Sequence, residues 1–462
     1  MSPLTIKGEG LGFDLEPTLE EWEQLADTAQ QFIKEQLDGL DKRPAVDAHA
    51  DPGEGSLNHY LHELFSAGFN PAHPGFMAYI PGGGLVTSAL ADWIIKSLNR
   101  YGTAYFAAPK LAELEFEVIR TFARWLGFGS DAGGVLTTGG SVANFTAVVT
   151  ARRTRLPEDF LKGIIYCSDQ VHHSVMKAAN LAGFSARNLR ILPSDESFRF
   201  KPELLETQIQ EDLQAGLLPF LVVASAGTTN TGSIDPLPEL GRVCREYRLW
   251  YHIDAAYGGA FVLTDRGRER MSGIDLADSV TLDPHKGMFL PYGTGSILVK
   301  DRQALIEAHE MRGDYMPDLD RSRAHLDPFS LSLELSREHR GLKMWLPLLL
   351  HGEQSFRNAL DEKLDLIELV IEQLALYPDI DILNQPDLTT VAFRLKQAGD
   401  LENRRLLDTI IAGGRVYLSG TMLDDAFALR VSILSHRTHH RQIEDFFSEL
   451  DRALNEVRPD TT

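Results

Sequence analysis

Behind a capping pair, Thr18 and Glu21, the chain sets Trp22, Leu25, Ala29, Phe32, Ile33 and Leu37 at helical spacing. This predicts an N-terminal helix with one apolar stripe, which must bury itself on a partner subunit or back on its own domain. Residues 41–56 break the pattern. From about residue 75 to 300, helical stretches alternate with short apolar runs. Leu111, Leu114, Val118, Ile119, Phe122 and Trp125 make a helix face, and apolar runs follow at 135–138, 164–167, 189–192, 220–224, 250–254, 279–282 and 296–299. Runs of that length between helices predict strands buried on both faces, hence a mostly parallel central sheet in an α/β fold with helices on both sides. Past about residue 342 the rhythm changes: helical stretches surround runs at 391–395, 415–418 and 429–433, which predicts a smaller α+β domain. The expected organisation is an N-terminal helical segment over 1–72, a large α/β domain over 73–341 and a small C-terminal domain over 342–462.

Composition narrows the function classes. The 462 residues are 43% hydrophobic and 24% charged, an ordinary globular mixture, with a formal charge of −21. So acidic a chain argues against nucleic acid and anionic membrane surfaces as partners. A local nest of N–H donors can still hold an anion, because distant surface charge is screened beyond about 8 Å. The two cysteines, Cys167 and Cys244, are too few for a disulfide framework. The first residues lack the basic start and apolar stretch of a signal peptide, and the run 217–226 is too short to span a bilayer, so a cytoplasmic location is the expectation.

Three loops carry candidate chemistry, each at the end of an expected strand, where open α/β sheets bind ligands. The first is Thr-Thr-Gly-Gly-Ser-Val-Ala-Asn at 137–144. Its glycines let the backbone approach an anion, and the helix start presents free N–H groups and a positive dipole end, with the Ser141 hydroxyl beside them. The dipole contributes only about 0.3–2 kcal/mol, so several N–H groups must act together. The second, Trp-Tyr-His-Ile-Asp-Ala-Ala at 250–256, ends an apolar strand on Asp254. A buried aspartate is costly unless it faces a cation or several donors; capping the next helix is the plainer use. The third, Asp-Pro-His-Lys at 283–286, puts a lysine in an apolar segment, where desolvation frees an amine for Schiff-base chemistry. Together they supply what a pyridoxal site needs: an amine for the aldehyde, a carboxylate for the ring nitrogen and a cradle for the phosphate.

With these loops in view, the chain resembles the group II pyridoxal-phosphate-dependent amino-acid decarboxylases, the family of aromatic-amino-acid, histidine and glutamate decarboxylases. The matching segments are 73–81, 139–144, 168–172, 227–229, 252–256 and 283–286. The resemblance implies a fold-type I transferase architecture, a homodimer with its site near the interface, and pyridoxal 5'-phosphate as cofactor. It implies that Lys286 forms the Schiff base, that Asp254 meets the pyridine nitrogen and that His172 stacks on the ring. Gly140, Ser141 and His285 resemble phosphate-side residues, Thr229 a threonine near the ring, and Ala256 and Asp283 further cofactor contacts. Tyr79, Ile80, Pro81 and Gly352 match substrate-pocket positions, which points to an aromatic or otherwise apolar amino acid. In relatives that make amines, a mobile-loop tyrosine protonates the carbanion left by CO2 loss. Here that place falls at Pro328 or Phe329, and phenylalanine cannot donate a proton. The same replacement marks the aromatic aldehyde synthases, where oxygen intercepts the carbanion, although Tyr315 in the same stretch could donate instead.

Two readings from other classes compete. His436, His439 and His440 share a helical face, as metal ligands could, but no carboxylate or cysteine joins them at recognisable spacing, and no metal is expected. A non-catalytic protein on a decayed enzyme fold is opposed by Lys286, Asp254 and His172 all being in place.

Overall fold

The computed structural model describes residues 18–38, 46–47, 61, 64–65, 68–310 and 326–457. Its centre is a seven-stranded sheet: β1 (Gly133–Thr137), β2 (Gly163–Ser168), β3 (Leu189–Leu192), β4 (Leu218–Ser225), β5 (Trp250–Asp254), β6 (Ser279–Leu282) and β7 (Gly295–Val299). The spatial order is β1-β7-β6-β5-β4-β2-β3. All pairs are parallel except those of β7, which runs antiparallel to both β1 and β6. It follows that β1, β4, β5 and β6 all point the same way and end along one edge of the sheet, where β7 begins. Every residue of β5, β6 and β7 is buried, as expected of strands covered on both faces.

Helix α1 (Leu19–Leu37) forms where the apolar spacing predicts, with Phe32 buried against the ring of Phe65 and Ile33 half exposed. Further on lie α2 (Val86–Leu98), α3 (Pro109–Trp125), α4 (Gly140–Arg155) and α5 (His173–Leu181). In α3 the buried face runs through Ala112, Glu115, Val118, Ile119, Phe122 and Trp125, so the stripe is carried by Ala112 and Glu115 where Leu111 and Leu114 are expected. Glu115 is tolerated there because the Arg337 guanidinium, equally buried, pairs with it and Leu136 N–H donates to its carboxylate.

The C-terminal part holds a second sheet, wholly antiparallel, in the order β8-β9-β11-β10, from β8 (Ile380–Ile382), β9 (Thr390–Leu395), β10 (Ser419–Leu423) and β11 (Ala426–Ser432). The strand expected at 415–418 lies a few residues later. Val416 and Leu418 are buried, but this stretch pairs with the 75–77 segment: Tyr417 N–H donates to Gly75 O and Met77 N–H to Tyr417 O, both at 2.9 Å. Leading into the second sheet, the helical run α6 (Gly341–Leu374) is two helices joined at Gly352, whose φ of 72° and ψ of 159° are non-helical.

Candidate active site

A cavity of about 430 Å³ opens at the edge where β1, β4, β5 and β6 end, and all three candidate loops line it. Lys286 stands on the short turn Pro284–Gly287 after β6, with its amine 3.5 Å from Asp283 Oδ2. His285 Nε2 lies 3.6 Å from the same oxygen, while its Nδ1–H donates to the Thr294 carbonyl at 2.6 Å. Burial pushes the His285 pKa down, and Lys286 adds to that, so the imidazole is a neutral ring with its proton on Nδ1.

Asp254 is the last residue of β5 and is 7% exposed. Its carboxylate is satisfied by donors: Asn144 Nδ2–H to Oδ2 at 2.8 Å and Ala256 N–H to Oδ1 at 3.1 Å. Of the two partners expected for a buried aspartate, donors are thus what the fold provides. Each oxygen keeps a further lone pair for a ligand N–H.

The glycine turn joins β1 to α4. Gly139 holds a φ of 154° and offers no side-chain cap; its carbonyl accepts from the Val142 and Ala143 N–H groups, while those of Gly140 and Ser141, at the helix start, have no intrahelical partner. A Cβ on Gly140 would stand 2.8 Å from Asp283 Oδ2 and 3.3 Å from the Ala256 Cβ, which is why the backbone can lie flat against the cavity floor. Ser141 and Thr229 line the same cavity, and the Thr229 carbonyl accepts from Arg430 Nη1–H at 2.7 Å. His172 precedes α5 and also faces the cavity; Ser174 Oγ is 2.7 Å from its Nδ1, and burial lowers its pKa, keeping it neutral.

The single chain does not bring every expected residue to this cavity. Tyr79, Ile80, Pro81, Gly352 and Phe329 are absent from its lining. Tyr79, at φ 56°, turns its ring toward Phe69 and Phe76, with centroids at 5.9 and 6.4 Å, and Ile80 and Pro81 are buried. Gly352 sits at the α6 kink, where an added Cβ would meet nothing within 4 Å. Phe329 is buried in the turn Pro328–Leu331, its N–H donating to the Thr103 carbonyl at 3.3 Å. Tyr315 lies outside the described residues. Conversely, Gln170, Tyr257 and Tyr292 line the cavity without having been singled out. Gln170 stood inside a quoted motif, whereas nothing in the sequence marks Tyr292. Among the described residues no cluster of metal-ligand type occurs, and His439 instead places Nδ1 2.6 Å from Glu362 Oε1.

This donor set fits pyridoxal phosphate. An amine, an acceptor carboxylate and a Cβ-intolerant glycine turn share one cavity, and Asp283 Oδ1 and Gln170 Oε1, both among the residues lining it, are buried there without a hydrogen-bond partner. Comparison with known proteins agrees. The family described as pyridoxal-dependent decarboxylase conserved domain matches residues 43–396. An aromatic-L-amino-acid decarboxylase of Bacillus atrophaeus is 31% identical, over 96% of this chain and 98% of that protein. A phenylacetaldehyde synthase of Arabidopsis thaliana is 29% identical over 80% of each chain. The fold is shared with the crystal structure of Oryza sativa TDC with PLP and tryptamine, at a TM-score of 0.90, 22% identity and coverage of 96% of this chain and 100% of that one. The chain therefore belongs to the pyridoxal-dependent decarboxylase family, and it is a pyridoxal-phosphate enzyme that removes CO2 from an amino acid.

Proposed function

We propose that the substrate is an aromatic or otherwise apolar L-amino acid, that the product is the amine, and that the working unit is a homodimer. The observation that carries the site assignment is the convergence of Lys286, Asp254 and the Gly139–Gly140 turn on one cavity. When bound, pyridoxal phosphate supplies an aldehyde for amines and a ring that takes up the electron pair left by the departing carboxylate. Lys286 would provide the amine that holds the cofactor's aldehyde. Asp254 would accept the ring N–H, an interaction of about 1.5–3 kcal/mol that would keep the ring protonated. His172 would pack against the ring, and the α4 start with Gly140 and Ser141 would hold the phosphate. His285, Thr229, Ala256 and Asp283 complete the lining. Which substrate bond breaks would be set by how the residues lining the cavity orient the substrate against the cofactor.

The dimer is supported by two observations. Val86, Leu90, Trp93, Ile94 and Leu98 form an exposed apolar stripe on α2, at helical spacing, and Leu349 and Leu350 are exposed as well. The segments resembling substrate walls, around Tyr79 and Gly352, do not reach the cavity of their own chain, so a second copy is the natural source of that wall. Cytoplasmic residence belongs to the same proposal; both cysteines are free, and no described helix is long and apolar enough to cross a membrane.

One observation favours a second reading, decarboxylation with oxidative deamination to an aldehyde. The described residue at the expected proton-donor place is Phe329, which carries no transferable proton. A panel of amino acids assayed together for CO2, amine, aldehyde and peroxide separates the two. Amine equal to CO2 is the expected result. Peroxide rising in step with CO2 selects the aldehyde reaction, and no CO2 from any aromatic or apolar amino acid removes the substrate proposal.

A further inference from the structure

Behind Asp254 runs a chain of buried hydrogen bonds that reaches the cavity at Asn144 and Ser174. Trp250 Nε1–H donates to Ser279 Oγ at 2.8 Å, and Ser279 Oγ lies 2.8 Å from His252 Nδ1. His252 Nε2 is 3.0 Å from Asn144 Oδ1, which also accepts from Thr281 Oγ1–H at 2.8 Å. Asn144 Nδ2 then donates twice, to Asp254 Oδ2 at 2.8 Å and to Ser174 Oγ at 2.9 Å, and Ser174 Oγ faces His172 Nδ1. Trp250, Ser279, His252, Asn144, Thr281 and Ser174 are each no more than 3% exposed, so water does not substitute for any link.

The direction of every proton follows from the two ends. An indole N–H only donates, so the Ser279 hydroxyl accepts from it and keeps its own proton free to give to His252 Nδ1 once that nitrogen is unprotonated. A carboxylate only accepts, so the Asn144 amide must turn its NH2 toward Asp254 and its oxygen toward His252. His252 therefore carries its proton on Nε2 and is neutral. Burial independently pushes its pKa down, which agrees with that state. The second Asn144 proton goes to Ser174, whose hydroxyl proton then goes to His172 Nδ1, leaving the His172 proton on Nε2.

We propose that Asn144 is a positioning residue that fixes both Asp254 and His172, the two groups expected on the edge and face of the cofactor ring, and that His252, locked by Ser279 and Trp250, holds Asn144 in the required orientation. The inference rests on the pyridoxal-phosphate reading of the Lys286 site. Without the Asn144 amide, Asp254 loses its side-chain donor and can rotate away from the ring nitrogen, and the Ser174–His172 link is released with it. Replacing His252 by a group that cannot both accept from Ser279 and donate to Asn144 frees the amide to flip, which sets its oxygen against the carboxylate.

The test uses the full-length protein and four variants, Asn144→Ala, His252→Phe, His252→Gln and Trp250→Phe. Three quantities are read: the Kd for pyridoxal phosphate, the 15N chemical shift of bound cofactor labelled at its ring nitrogen, and the Tm of the cofactor-free protein. Asn144→Ala and His252→Phe are expected to weaken cofactor binding about tenfold, the loss of one charge-assisted hydrogen bond, and to move the 15N resonance toward the unprotonated position. His252→Gln retains one acceptor and one donor and should keep the wild-type shift. Trp250→Phe should fall between the two. A purely structural network predicts lower Tm values with an unchanged 15N shift, and that result overturns the proposal. Wild-type shift and Kd in Asn144→Ala and His252→Phe overturn it too, while leaving the active-site reading intact. A wild-type protein that takes up no pyridoxal phosphate overturns both.

Discussion

Lys286 Nζ lies 3.5 Å from the carboxylate of Asp283, three residues earlier on the same turn, and that carboxylate is 2% exposed against 21% for the lysine. The acid is thus fixed in the protein while the amine projects into the cavity. Lys286→Arg keeps a cation beside Asp283 but removes the primary amine. It is expected to keep the Tm of the cofactor-free protein near wild type and to lose borohydride-fixed cofactor, with CO2 release falling at least about 100-fold. Lys286→Ala should lose the adduct as well. Mass spectrometry after reduction checks both, and an adduct that persists in either variant shows that the amine is elsewhere.

Asp254→Ala removes the acceptor for the ring nitrogen. At about 1.5–3 kcal/mol for a hydrogen bond to a charged group, the Kd for pyridoxal phosphate should rise on the order of 10- to 150-fold. Asp254→Asn should recover little of that, because an amide oxygen lacks the charge that keeps the ring protonated. Equilibrium titration of the cofactor-free protein measures the difference, and equal affinity in all three proteins would move the acid's role to another residue.

Two glycines separate space from backbone strain. A Cβ on Gly140 would press on Asp283 and Ala256, so Gly140→Ala should weaken cofactor binding and cost about 1–3 kcal/mol of stability. Gly352 has open space around it but a φ of 72° with ψ 159°, a region open essentially to glycine alone, so Gly352→Ala should cost about 1–3 kcal/mol without changing cofactor affinity. Denaturant unfolding beside cofactor titration resolves the pair.

His309 gives a pH prediction. Burial, with a smaller contribution from Arg153, lowers its pKa to about 4 in the folded chain, against about 6.5 when unfolded. Between those values the unfolded chain binds the extra proton. The stability tied to neutral His309 is therefore fully present above pH 6.5 and is lost as pH falls toward 4. His309 Nε2 stands 3.0 Å from Thr150 Oγ1, so His309→Gln keeps a polar partner there without a titrating group. The Tm gap between wild type and this variant should change between pH 7 and pH 5 in the variant's favour, by no more than about 1.4 kcal/mol per pH unit. A gap independent of pH contradicts the assignment.

The central sheet was readable from sequence because its inner strands are buried and appear as short, mostly apolar runs between helices; Trp250–Asp254 and Ser279–Leu282, fully buried, and the more exposed edge strand Leu189–Leu192 all coincide with their expected limits. The second sheet was harder. Ser419–Leu423 alternates buried and exposed positions along an edge and carries a glycine, and Ile380–Ile382 is only three residues long, so neither gives a strong signal. Of the cavity, Lys286, Asp254, His172 and the glycine turn stood in recognisable motifs, whereas Tyr292 did not. What supports them did not stand out, since Asn144, His252 and Ser279 are ordinary polar residues until the fold brings positions more than a hundred residues apart into contact. The wall expected from Tyr79 and Gly352 does not line the cavity of the single chain.

The backward course of β7 gives the lysine a short leash. Between Leu282 and Gly295 the chain makes a tight return, and His285 is tied to Thr294 at its far side by both backbone and ring. Closing so small a loop costs little entropy, whereas Asp254 and the Gly139 turn reach the same place only through long crossovers. The backbone turn that carries the lysine should consequently stay in place when the cofactor is gone. Loosening of the empty site should begin in the glycine turn and its helix, which makes phosphate capture, and not the chemistry at Lys286, the step that reorganises the chain on loading.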